Sequence, residues 1–149
     1  MYATLLSVHS VLRWLVIVSA VAAFVAALRG AAQPGGHAPR IAGFTLATFF
    51  DVQLLVGLAL YLRFSPLTTT AIHHFDRAMG NDVLRFWTVE HPVGMIAGLA
   101  LVHIGNVKVR RPPADSRALR RAAIYFALAL VVTLLSVPWP FMPYGRPLL

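Results

Sequence analysis

The sequence predicts an all-α membrane protein: a four-transmembrane-helix bundle running up-down-up-down in a single domain. Three observations carry that reading. The 149 residues are 58% hydrophobic and only 12% charged, with a mean hydropathy of +0.72; soluble domains carry about 25% charged residues. Charge is swept out of long runs rather than thinned evenly. Four of those runs reach the roughly 20 apolar residues that a helix needs to cross a hydrocarbon core about 30 Å thick. They cover about 8–28, 41–62, 86–107 and 119–137. All four are apolar all round and lack period-2 alternation, which excludes barrel strands.

Each element has its own punctuation. The first run closes at Gly30 and the Gln33-Pro34-Gly35-Gly36 turn. No basic region precedes it at Tyr2-Ala3-Thr4, and it exceeds the apolar core of a signal peptide, so a retained helix is expected. Ser65-Pro66 follows the second run. The longest loop, 63–85, holds Thr68-Thr69-Thr70, His73-His74 and Gly80-Asn81-Asp82; Asn81 or Asp82 is placed to cap a helical segment leading into the third span. Arg111-Pro112-Pro113 follows the third run, and Pro138-Trp139-Pro140 ends the fourth. The tail 138–147, rich in proline and aromatics, is expected along the outer interface. Short loops between successive spans give antiparallel neighbours.

Orientation follows from the basic residues. Arg29, Arg40, Lys108, Arg110, Arg111, Arg117, Arg120 and Arg121 are eight on one side, against Arg63, Arg77, Arg85 and Arg146 on the other. The basic loops are therefore expected in the cytoplasm of a bacterial inner membrane, with both termini periplasmic. The net charge of +8 then marks a cytoplasmic rim against anionic lipid. Nucleic acid is excluded as a partner, because these residues sit in short loops with no soluble module to present bases.

There is no cysteine. That excludes disulfides, thiolate metal sites, iron–sulfur clusters and covalent Cys-x-x-Cys-His haem attachment. No nucleophile–base pair or phosphate loop marks an enzyme.

Ionisable residues inside spans are expensive, so each one needs a reason. Spans one and three start on the same side, which puts His9 and His91 at similar depth on diagonal helices. Two imidazoles so placed can serve as the axial ligands of one haem. Arg13, one turn from His9 on the same helix face, suits a haem propionate. His103 lies twelve residues after His91, and its side chain points roughly 120° away. It is a weak second ligand and is expected to bond a neighbouring helix or headgroups. Asp51, near mid-bilayer, is expected as a buried partner of Arg13 or a protonated carboxyl bonded to a helix neighbour. The alternative is a proton relay using Asp51 and His103. The histidines of His73-His74 are expected to be solvated, and Met79, Met95 and Met142 to pack.

Three segments, His9-Ser10-x-Leu12-Arg13-Trp14, Gln53-Leu54-Leu55-x-Gly57-Leu58-x-Leu60-Tyr61 and Arg85-Phe86-x-Thr88-Val89-Glu90-His91-Pro92, resemble a family of small bacterial four-helix integral membrane proteins known as cytochrome-b-like. The resemblance covers nearly the whole chain in order, and Thr88-Val89-Glu90-His91-Pro92 is its most specific part. It implies haem b and electron transfer, with His9 and His91 at the iron and Arg13, Gln53 and Glu90 as neighbours. The chain departs from the pattern at Asp51, where a histidine often stands two residues before the glutamine.

The leading expectation is thus a membrane electron-transfer protein that binds haem b non-covalently near the outer face. A cofactor-free accessory subunit of a larger respiratory or photosynthetic membrane complex is the alternative from another class. A proton or ion conduit centred on Asp51 is a third. Partnership in a larger redox complex or a homo-oligomer fits any of them.

Overall fold

The computed structural model describes residues 1–110 and 115–146. Helix α1 runs Tyr2–Ala32 and α2 runs Ala38–Ala59, continued by a π-helical turn at Leu60–Phe64. Three short helices follow: α3 (Pro66–His73), α4 (Phe75–Met79) and α5 (Asp82–Arg85). A second π-helical turn, Phe86–Glu90, leads into α6 (His91–Arg110), and α7 spans Ser116–Ser136. Among the described residues, four stretches are long and apolar enough to cross a membrane: Tyr2–Ala32, Ala38–Phe64, Asp82–Arg110 and Ser116–Ser136. They overlap the four predicted runs and extend most of them into their polar flanks. The 31 residues of α1 make about 46 Å of helix, longer than the hydrocarbon core, so α1 must tilt or project.

The caps explain where elements begin. Ser65 accepts from the Thr68 amide, Asn81 from the Leu84 amide at 3.0 Å, and Asp115 from the Ala118 amide at 2.6 Å. Asn81, one of two capping candidates, is therefore the residue that starts α5. The segment 63–85, expected as a loop with one helical stretch, is almost wholly helical. The Arg111-Pro112-Pro113 stop lies outside the described residues.

The spans form a ring in the order α1, α2, α6, α7, so α1 and α6 stand diagonally. Small residues set the close approaches, as expected where helices associate without a hydrophobic driving force. Ala20, Ala23, Ala27 and Ala31 of α1 are buried, as are Ala122, Ala123 and Ala129 of α7. On α6, a side chain at Gly94 would collide with Ser136, and one at Gly105 would meet the Phe126 ring at 2.7 Å. Phe50, Phe126, Leu46, Val16 and Val102 fill the interior. Large apolar residues such as Val18, Leu55 and Leu135 face outward, toward lipid.

The tail folds across one end of the bundle. Trp139 donates its indole N–H to the Leu134 carbonyl at 2.8 Å, and the Arg146 amide bonds back to Pro138. The Tyr144 ring stacks on Phe86 with centroids 3.7 Å apart.

Candidate functional site

A cavity opens at the end of the bundle that carries the tail, lined by all four spans. Its cavity volume is about 90 Å³. A proline and a helix end help build it. In a regular helix the Thr88 carbonyl would accept from the N–H four residues on, but that residue is Pro92, which has none. The Tyr61 hydroxyl donates to Thr88 instead, at 2.9 Å. The Thr68 hydroxyl in turn donates to the Tyr61 carbonyl at 2.8 Å. Both π-helical turns, a feature common at functional sites, thereby bring Leu60, Tyr61 and Trp87 to the cavity wall.

The helix end acts on the other side. Ser136 is the last residue of α7 and Val137 turns extended, so the Ser136 carbonyl has no partner within the helix. His91 fills the gap, donating its Nδ1–H to Ser136 at 2.7 Å. A neutral His91 is thereby held as the tautomer whose Nε2 carries a bare lone pair. Gly94 lets α6 and α7 approach closely enough for this bond.

Across the bundle, the His9 ring lies with its centroid 6.3 Å from that of His91, the planes at 71°. Gln53 Nε2 stands 3.2 Å from His9 Nε2. His9 Nδ1 and Gln53 Oε1 are buried without a hydrogen-bond partner among the described residues. Turning the Gln53 amide over would let Oε1 accept from His9 Nε2–H, which leaves Nδ1 as the bare nitrogen. Either way one His9 nitrogen is uncommitted.

A smaller void shares His9, Gln53, Gly57, Tyr61, His91 and Met95 with the main cavity. The main cavity continues toward Arg13 and Arg146, while the smaller void reaches Leu54, Leu58 and Ile96 between α2 and α6. Space therefore flanks the imidazole pair on two sides, one cationic and one apolar. Arg146 also lies over the Trp87 ring, 5.1 Å from its centroid.

Of the residues singled out in the sequence, His9, His91, Arg13 and Gln53 line this cavity. Glu90 does not. Its carboxylate accepts from Arg85 Nε at 2.8 Å and is 46% exposed, so its expected place beside the imidazoles is corrected. The π-helical turn sends Glu90 back toward α5.

Asp51 is corrected in part: of its two expected places, the bond to a helix neighbour is the one met, and His103 bonds a neighbouring helix as expected. Asp51 is no buried partner of Arg13: its Oδ1 accepts from His103 Nε2 at 3.0 Å, on the outward-facing seam of α2 and α6. The side chains are 46% and 51% exposed, respectively. Asp51 is two residues from Gln53, roughly 200° around the helix, so one faces in and the other out. An aspartate at mid-span costs about 2.5–3.5 kcal/mol. A proton conduit centred on Asp51 would need that carboxylate inside the bundle.

Sequence reasoning missed Ser136, Tyr61, Trp87 and Arg146. The signal for Tyr61 was present, since a proline four residues after a helical carbonyl orphans that carbonyl and something else must satisfy it. Among the described residues no group of three or more His, Asp or Glu side chains is placed to hold a bare metal ion. No protein family, curated protein or solved structure matches the chain.

Proposed function

We propose that the cavity binds haem b non-covalently, and that the chain is a membrane electron-transfer protein of the cytochrome-b-like kind, as the resemblance of its three segments implies. The observation that carries the reading is the His9–His91 pair, centroids 6.3 Å apart, with His91 oriented by the Ser136 carbonyl.

The residues fit the group on three counts. The two imidazoles lie across the cavity with centroids 6.3 Å apart, so both would reach a group held between them. Two protein ligands suffice only where the cofactor supplies the others, as a macrocycle does. The voids beside the pair are cationic on one flank and apolar on the other, matching a ring with carboxylates along one edge.

His9 and His91 would hold the iron, and Arg13 and Arg146 would meet the propionates. Gln53 would orient His9 as the Ser136 carbonyl orients His91, since the second hydrogen bond of a ligating imidazole sets its tautomer and basicity. Trp87, Phe50 and Met95 line the cavity beside the pair. When bound, the haem supplies one-electron redox chemistry; the protein tunes its potential through ligands, burial and nearby charge. The basic loops of a bacterial inner-membrane protein would face the cytoplasm and its anionic lipid, which puts the cavity and both termini on the periplasmic side.

Purified from a haem-replete host, the protein should show the reduced α-band of b-type haem and lose its pigment to acidic organic solvent. Colourless protein would overturn the reading and favour a cofactor-free accessory subunit.

A further inference from the structure

The Asp51–His103 pair has no role in that cavity, and its position demands one elsewhere. Asp51 lies eleven residues from Arg40, and His103 seven residues from Arg110, which sets the pair about 10–16 Å above the basic rim. That depth is hydrocarbon. Yet both side chains face away from the bundle and are about half exposed. Ionisable residues in spans ordinarily face the bundle interior or a partner, because lipid tails offer no hydrogen bonds.

We infer that the outward face of α2 and α6 is the contact between two parallel copies of this chain, closed at mid-bilayer where each Asp51–His103 pair meets that of the other copy. Written as an ion pair of zero net charge, the two groups have used one oxygen and one nitrogen on each other. Asp51 Oδ2 remains an acceptor and His103 Nδ1–H a donor, and neither has a hydrogen-bond partner among the described residues. A two-fold axis along the membrane normal brings Oδ2 toward the partner's His103, and Nδ1–H toward the partner's Asp51. Such an interface is isologous: residue i meets j while j meets i.

Depth matches automatically, because both groups belong to one bonded pair and both copies insert in the same sense. A foreign helix would need its own donor and acceptor at this level; a second copy carries both. The neighbouring surface permits close approach. Thr48 and Ala100, each one turn from the pair, are exposed and small. The Thr48 hydroxyl already donates to the Phe44 carbonyl at 3.0 Å and does not compete for the pair.

The absence of cysteine makes the test clean. Thr48→Cys and Ala100→Cys, each alone, should give an adduct of twice the chain's mass when native membranes are treated with a short bis-maleimide. Val131→Cys, 51% exposed on the outer face of α7, should stay monomeric. In the Ala100→Cys background, Asp51→His and His103→Asp should each lose most of the adduct. Co-expressed, the two variants should regain it, because each then offers the charge the other lacks, and rescue also shows that both fold. Adducts at Thr48 and Ala100 no stronger than at Val131 would overturn the inference. So would an adduct of a different mass, which would assign the face to another protein, or crosslinking indifferent to both charge changes.

Discussion

His91 on α6 donates its Nδ1–H to the main-chain carbonyl of Ser136 on α7 at 2.7 Å, so one α6–α7 contact decides which nitrogen His91 presents to the cavity. The bond exists because α7 ends at Ser136 and leaves that carbonyl without a helical partner, and because Gly94 lets the helices touch.

The first prediction follows from that orientation. Replacing either His9 or His91 with alanine should abolish the low-spin spectrum of a bis-histidine haem. His103→Ala should leave it intact, since His103 bonds Asp51 on the outer seam. Absorbance and electron paramagnetic resonance of the purified variants decide it; loss of the spectrum in His103→Ala alone would assign the ligand to the wrong end of α6.

Packing supplies the second. A valine side chain at position 94 would have to displace the Ser136 side chain. Gly94→Val should therefore cost about 1–3 kcal/mol, as overpacking does. It should also weaken pigment retention, because α6 cannot move from α7 without pulling His91 off its carbonyl. Gly80→Ala, at a site where the nearest contact is 3.6 Å, serves as the control and should change neither.

Tyr61 provides the third. Its hydroxyl satisfies the carbonyl that Pro92 leaves open. Tyr61→Phe should destabilise the protein by about 1–3 kcal/mol, the cost of stranding a buried acceptor. Thermal unfolding in detergent measures it, and an unchanged midpoint would show that water or another donor reaches Thr88.

A fourth prediction tests the reassigned ion pair. Asp51→Ala and His103→Ala should be non-additive, with a coupling of about 0.5–3 kcal/mol. Asp51→Ala and Arg13→Met should add within about 0.5 kcal/mol, as separated sites do. Coupling to Arg13 instead would restore the buried pair that the sequence suggested.

Orientation is the fifth. Reporter fusions at the C-terminus should be active only in the periplasm, given eight basic residues on the opposite side against four on this one. Strong cytoplasmic activity would invert the topology and put the cavity at the other face.

By itself the sequence determined the four spans, their antiparallel order and the shared depth of His9 and His91. Those properties add up along the chain: apolar length sets a span, short connections set its direction, and residue count sets depth. The diagonal pairing of α1 and α6 followed from the same arithmetic. What the tertiary structure alone decided is azimuth. A helix that is apolar all round carries no stripe to say which side faces in, so nothing in α2 announced that Gln53 turns toward His9 while Asp51 turns toward His103 and the outer face. Glu90 was misplaced for a related reason, because a π-helical turn widens the repeat and rotates every side chain before it relative to the helix that follows. Only packing selects those rotations, through contacts as particular as Gly94 against Ser136, and such contacts join residues that the chain keeps far apart.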